Sequence, residues 1–180
     1  CDCEGRAVLP GIVDSHCHPD MTGARVGRWH DFSVDAPKTR GDVLTAVRDA
    51  LAGRPEGAWF TGYRFDERAC GGYPTIEELD AAGGGRPVFL YRRDAQMGLA
   101  NTAALRAVGF DADAADPPFG RIERDPATGR PTGLLRARAA HIVVEHIQAG
   151  YTPEDFRRGL VRVLDEYLSF GITSVHNSLT

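Results

Sequence analysis

The stretch VLPGIVDSHCHP, residues 8–19, joins an apolar run to a pair of histidines, His16 and His18. The apolar residues predict a β-strand, and the Pro-Gly pair at residues 10–11 sets its start. Side chains two positions apart in a strand point to the same face, so both imidazoles would project together while Cys17 faces away. Neutral imidazoles are good ligands for zinc, iron, nickel or copper. The stretch therefore predicts a metal-binding pair at the end of a strand.

Two further residues at predicted strand ends are candidates for this site. Asp14 shares the predicted face of the histidines, where its carboxylate either orients a metal ligand or serves as a turn or cap carboxylate. His176 ends a second predicted strand, residues 172–175. It belongs either to the site or to a strand end that is hydrogen bonded to a loop. The sequence leaves both alternatives open for both residues.

Composition and charge exclude several classes of protein. The 180 residues are 42% hydrophobic with a formal net charge of −4, values that fit a globular protein with a core and give no reason to expect nucleic acid or an anionic membrane as a partner. Within these 180 residues no apolar run is long enough to cross a bilayer and there is no secretory segment, so a cytoplasmic location is the default expectation, and a signal upstream of Cys1 stays open. The oligomeric state is not indicated.

The cysteines and the chain ends give two more expectations. The four cysteines (Cys1, Cys3, Cys17 and Cys70) lack paired metal-ligand spacing, which predicts reduced thiols without a disulfide framework. The sequence starts at Cys1 without a methionine and stops just after an apolar stretch. We therefore expect a segment of a longer protein.

Helix and strand signals alternate along the chain, which predicts an α/β fold. The expected elements, in order, are a helix capped by Asp42 and closed by Gly53, a helix opened by a capping box of Thr75 and Glu78, a buried strand at residues 87–91, a helix capped by Asn101, a hairpin within residues 120–133, a helix over 134–148, a helix capped by Thr152, and a buried strand at 172–175. The last helix, tight glycine turn and strand together indicate a parallel sheet.

Five segments of the sequence resemble a known family. PGIVDSHCHP resembles the first barrel strand of the metal-dependent amidohydrolase superfamily. Four others are similar, in the same order, to amidohydrolase family 3, the group of N-substituted formamide deformylases and YtcJ-like proteins. They are GYRFDE (62–67), PVFLYRRDAQMGLANTAAL (87–105), GRPTGLLR (129–136) and SFGITSV (169–175).

The resemblance implies a partial (β/α)8 TIM-type barrel with an α/β insertion after its first strand. Residues 1–24 would hold the first barrel strand and metal motif, 25–150 the insertion, and 151–180 a barrel helix and the next strand. A whole barrel needs about 250 residues, so the rest of the barrel and a β-sandwich would lie outside this chain.

The resemblance also implies an activity. It is the metal-dependent hydrolysis of a non-peptide, amide-type C–N bond in a small molecule. His16 and His18 would bind a divalent cation, zinc before other metals. The remaining ligands and an acidic general base would lie beyond residue 180, so this segment alone would be inactive.

Three positions depart from the pattern of the family. Gln96 stands where a histidine is usual, Ala137 where an acidic residue is frequent, and Asn177 where aspartate is frequent. These departures support a second hypothesis, a degenerate and non-catalytic relative or binding module. Gln96 stays a candidate substrate contact, and Asn101 is either a helix cap or a substrate ligand. A third hypothesis, ranked below both, is a TatD- or PHP-type metal nuclease or phosphoesterase.

Overall fold

The computed structural model describes residues 2, 4–34 and 36–178; Cys1 and Cys3, and with them the expectation that they are reduced thiols, lie outside that part. Its elements are β1 (Ile12–Cys17), α1 (Pro19–Gly23), β2 (His30–Asp31), α2 (Arg40–Leu51), β3 (Phe60–Phe65), α3 (Ile76–Gly83), β4 (Val88–Arg92), β5 (Met97–Ala100), α4 (Thr102–Ala107), β6 (Gly120–Arg124), β7 (Pro131–Ala137), α5 (Arg138–Gln148), α6 (Pro153–Ser169) and β8 (Ile172–Asn177). The chain divides into two compact units, Cys1–Gly27 with Tyr151–Thr180, and Arg28–Gly150.

The first unit contains β1, α1, α6 and β8. β1 pairs in parallel with β8, with Ile12 opposite Ile172 and Asp14 opposite Val175, which confirms the predicted parallel connection. α6 begins as predicted, because Thr152 and Asp155 form a reciprocal capping box and Pro153 occupies the first turn.

The prediction that the strand at residues 172–175 is buried is wrong. Four of the six residues of β8 are exposed and two are half-buried. The physical reason is that, within the part of the chain that the structure describes, this sheet has two strands and β8 is hydrogen bonded along one edge only. Its partner β1 is also open, with Ile12 and Val13 more than half exposed.

Two glycines let α1 and α6 approach each other closely. A Cβ added to Gly159 would lie 1.9 Å from the carbonyl oxygen of Gly23, and a Cβ added to Gly23 would lie 2.8 Å from the backbone nitrogen of Leu160. Both glycines are buried. Backbone atoms therefore touch where side chains normally separate two helices, and this contact holds the short helix that directly follows His18.

The second unit is built on a mixed sheet of six strands in the order β2-β3-β4-β5-β7-β6. The pairs β2–β3 and β3–β4 are parallel, and the other three pairs are antiparallel. Successive residues of β4 point to opposite faces, so Phe89 and Tyr91 pack into one apolar cluster with Val143, while Val88 and Leu90 pack into another. Helices α2 and α3 contribute to the second cluster, and α5 contributes to the first.

Most predicted elements of this unit are confirmed. Thr75 and Glu78 form the expected capping box of α3, Val88–Arg92 is a buried strand, and Asn101 caps α4. The hairpin is present as the antiparallel pair β6–β7.

Two of the expected positions are wrong. The N-cap of α2 is Thr39, and Asp42 stands three residues later, where its carboxylate accepts a hydrogen bond from the backbone N–H of Thr39. Leu134 to Ala137 lie in β7 instead of a helix, since β7 pairs on both sides with β5 and β6. The sheet contacts override the helical spacing of the local sequence.

The mixed α/β class is therefore confirmed. The described residues form no closed barrel, and the partial barrel stays a prediction. Among these residues, none of the helices combines the length and apolar character that a membrane span requires.

The contact between α1 and α6 predicts the effect of adding one methyl group. Gly159→Ala should lower the free energy of unfolding by about 1–3 kcal/mol, because the new Cβ meets the fixed Gly23 backbone. Gly41→Ala in α2 is the matched control, since its Cβ would meet nothing nearer than 3.5 Å and helical alanine is favoured over glycine. Chemical denaturation followed by circular dichroism measures both variants. Equal stability of the two would contradict the close contact.

Candidate metal centre

The rings of His16 and His18 lie together at the end of β1. Their centroids are 5.3 Å apart and their planes are nearly perpendicular, at 88°. His16 belongs to the strand and is exposed, whereas His18 follows the strand, is half-buried and occupies the N-cap position of α1. The backbone of β1 and the start of α1 thus place two imidazoles side by side.

A bulge in β1, not simple alternation, sets the direction of His16. Asp14 pairs with Val175 and Cys17 pairs with Asn177, so three steps along β1 match two steps along β8. One extra residue is therefore accommodated at Ser15–His16. Such bulges re-aim a side chain and are frequent beside active sites.

Cys17 points away from the imidazole pair. Its side chain is buried, and its thiol donates to the carbonyl oxygen of His176 at 3.5 Å. Burial raises the pKa of the Cys17 thiol, and the carboxylates of Asp14 and Asp20 raise it further. Cys17 therefore stays protonated at neutral pH and offers no thiolate ligand.

Two groups form hydrogen bonds with His16 among the described residues of this unit. The Asp14 carboxylate accepts a hydrogen bond from the backbone N–H of His16 at 3.1 Å, so Asp14 stabilises the backbone here and does not touch the ring through this bond. The Nδ1 atom of His16 lies 3.2 Å from Oγ of Ser178. His176 is exposed in β8. The sequence analysis singled out Asp14 and His176 but missed Ser178, whose only signal is its place just after the second strand.

His18 provides the test of whether this site suits a metal. Its Nδ1 atom is buried and has no hydrogen-bond partner among the described residues. Leaving a buried polar group unsatisfied costs about 1–3 kcal/mol, and native proteins seldom tolerate it. A ligand bound to the imidazole pair, such as a cation, would account for this arrangement.

Two imidazoles do not complete a metal site. Within residues 2, 4–34 and 36–178, no three His, Cys, Asp or Glu side chains are grouped so as to hold an ion. A structural or catalytic zinc has at least three protein ligands. His16 and His18 therefore fit two of the ligands of a metal centre, and the other ligands are not among the described residues.

Gln96 and Asn101 lie in the second unit and differ in accessibility. Asn101 is completely buried. Its Oδ1 accepts from the N–H groups of Ala104 and Val88 at 3.0 and 2.9 Å, and its Nδ2 donates to Arg86. The side chain is thus a helix cap with no surface for a substrate. Gln96 is exposed in the turn after β4. Its backbone carbonyl oxygen accepts a hydrogen bond from the backbone N–H of Ala137 at 2.7 Å.

Charged side chains follow the carboxyl ends of the neighbouring parallel strands β3 and β4. The guanidinium group of Arg92 donates two hydrogen bonds, of 2.7 and 2.8 Å, to the carboxylate of Glu67. It also forms an ion pair with Asp94. Arg93 donates to Asp66 at 2.8 Å. The bonds from Arg92 lower the pKa of Glu67 to about 2 and raise that of the arginine. These pairs join the GYRFDE segment to the segment after β4, a structural role that sequence analysis did not predict.

Comparison with known proteins identifies the family of this chain. The amidohydrolase family model matches residues 1–180. The chain is 32% identical to the exoenzymes regulatory protein AepA of Pectobacterium carotovorum, over 97% of this chain and 38% of that protein. It is 31% identical to the N-substituted formamide deformylase of Arthrobacter pascens, over 99% of this chain and 33% of that protein.

A solved structure also resembles the chain. It is that of an uncharacterized metal-dependent hydrolase from Pyrococcus furiosus, with a TM-score of 0.56 and 25% identity over 92% of this chain and 31% of the other. The chain thus resembles solved metal-dependent hydrolases in fold. It belongs to the amidohydrolase family, which confirms the predicted resemblance. The chain spans about a third of the length of these relatives.

The pair of Glu67 and Arg92 predicts a specific acid dependence. The pKa of Glu67 is lower in the folded state, so its stabilisation is complete above about pH 4.5 and is lost as the pH falls toward 2. Glu67→Gln should lower the free energy of unfolding by about 2–3 kcal/mol at pH 7 and flatten its decrease below pH 4.5. Denaturant titrations at several pH values measure this.

The control for this experiment is Glu154→Gln. Glu154 forms a pair with Arg157 on the exposed surface of α6, and exposed pairs contribute less than about 1 kcal/mol. An acid dependence of Glu67→Gln as steep as that of the parent protein would show that the half-buried pair does not control it.

Proposed function

We propose that His16 and His18 are two ligands of a divalent cation, zinc before other metals, in a hydrolase that cleaves an amide-type C–N bond of a small molecule. The observation that carries this proposal is the imidazole pair itself. Its rings are 5.3 Å apart, and the buried Nδ1 of His18 has no hydrogen-bond partner among the described residues. Family membership supports a hydrolase. The name of the formamide deformylase supports the bond type.

The bound cation would lower the pKa of a water molecule toward neutrality and polarise the carbonyl carbon of the substrate. His16 can contribute Nε2, because its Nδ1 lies at the Ser178 hydroxyl. Asp14 holds the bulged backbone from which this ring projects. Cys17 keeps its proton and stays outside the site.

The relatives are about three times as long as this chain, and this length supports a larger protein that completes the site. We assign residues 1–24 and 151–180 to a partial (β/α)8 barrel and residues 25–150 to an inserted α/β unit. The missing ligands, and a carboxylate that transfers a proton to the leaving amine, are assigned to polypeptide outside these 180 residues. His176 and Gln96 stay candidate contacts for ligands or substrate.

A non-catalytic relative is the second candidate function, and the three departures from the family pattern, at Gln96, Ala137 and Asn177, support it. The first two positions adjoin in the fold, because the backbone N–H of Ala137 donates to the backbone carbonyl oxygen of Gln96 at 2.7 Å. Such a protein would retain the cation and the fold without turning over amides.

The experiment compares the whole protein that carries this chain with its His16→Ala/His18→Ala variant. Bound metal is measured by mass spectrometry after dialysis, and turnover is measured on N-substituted formamides. Metal content should fall to about a tenth or less and turnover at least about 100-fold, since even residues that merely support metal ligands are worth 10–100-fold. His146→Ala, at an exposed position of α5, is the control and should retain both properties.

The outcomes separate the two candidates. Unchanged metal content and turnover in the double variant would refute the metal-centre proposal. The non-catalytic relative would be favoured if the parent protein binds metal but hydrolyses no amide-type substrate, and the double variant no longer binds the metal.

A further inference from the structure

We propose that Ser178 is a positioning residue for the metal ligand His16, an inference that rests on the proposed function. The Ser178 hydroxyl would accept the Nδ1 proton of His16. It would thereby fix the rotation and the tautomer of the ring that presents Nε2 to the cation. The contact joins Oγ of Ser178 to Nδ1 of His16 at 3.2 Å, across 162 positions of sequence.

The backbone holds Ser178 in place for this contact. Its N–H donates to the carbonyl oxygen of Cys17 at 2.9 Å, and the preceding residue, Asn177, is paired with Cys17 in the β1–β8 register. Ser178 is half-buried. The hydroxyl is therefore anchored to the residue that adjoins His16 in the chain, and this anchoring limits its range of motion.

His16 needs such a contact because little else restrains its ring. The residue lies in the bulge of β1 and is exposed. Asp14, the other polar neighbour, bonds the backbone N–H of His16 and so fixes the chain without setting the ring angle. The His18 ring touches it edge to face, a contact that leaves the tautomer free.

The chemistry of imidazole makes the tautomer important. A neutral imidazole carries one N–H and one lone pair, and only the nitrogen with the lone pair can bind a metal. A group that accepts the Nδ1 proton leaves the lone pair on Nε2, which is the usual arrangement at histidine metal ligands. The serine hydroxyl can accept this proton, as carboxylates and carbonyls do elsewhere.

The test compares Ser178→Ala with Ser178→Thr, which retains a hydroxyl, in the whole protein. Ser174→Ala is the matched control, because Ser174 is an exposed serine of β8, the strand that ends just before Ser178. The affinity for Zn²⁺ is measured by chelator competition at one pH. We expect the dissociation constant to rise about 10–100-fold in Ser178→Ala and to stay within about 3-fold of the parent in the other two variants.

A second measurement needs no bound metal. Nitrogen-15 chemical shifts of the His16 ring in the metal-free protein report which nitrogen carries the proton. The parent and Ser178→Thr should show the Nδ1–H form, and Ser178→Ala should shift toward the Nε2–H form. Circular dichroism checks that each variant is folded. If Ser178→Ala does not fold, Ser178→Thr still tests the inference, because its hydroxyl should preserve the zinc affinity and the Nδ1–H form.

The results also distinguish this inference from the proposed function. If His16→Ala removes the metal while Ser178→Ala changes neither the zinc affinity nor the tautomer, the positioning role is refuted and the metal centre stands. If the His16→Ala/His18→Ala variant retains the metal, both proposals fail.

Discussion

The parallel pairing of β1 with β8 is the constraint on which the candidate site depends. It brings residues 12–17 beside residues 172–177, although more than half of the chain separates them in sequence. The mismatch of three residues against two forces a bulge at His16, and the same register delivers Ser178 to its ring. A strand without its partner would carry the same histidines but would fix neither the direction nor the tautomer of the first one.

Each histidine is held by different means. His16 is set by strand pairing, a backbone bond to Asp14 and the Ser178 hydroxyl. His18 lies at the start of α1, a helix of five residues that is too short to be stable alone. That helix is held by backbone contact with Gly159 of α6. The absence of side chains at this contact is therefore part of how the second imidazole is positioned.

Local signals in the sequence predicted much of the fold, whereas long-range contacts were not predictable. The capping box of Thr152 and Asp155 is contained within four residues, so its chemistry is complete in the sequence. The histidine pair was predicted by strand alternation, yet the structure achieves it through a bulge and a helix cap. Ser178 and the ion pair of Glu67 with Arg92 depend on strand register, which a single sequence does not specify. Residues 134–137 became a strand for the same reason, because two neighbouring strands provide hydrogen bonds that no local pattern shows.

The division of the chain into two units has a consequence for biosynthesis. Residues 28–150 are continuous, and all the strands of their sheet are available once that segment has left the ribosome. The other unit is discontinuous, so β1 must wait unpaired until β8 has been synthesised. Closing so long a loop carries an entropic cost and slows the formation of non-local strand pairs. The order of synthesis therefore makes β1, the strand that carries His16, one of the last parts of this chain to acquire its native partner. During that interval its open edge is exposed to pairing with other chains.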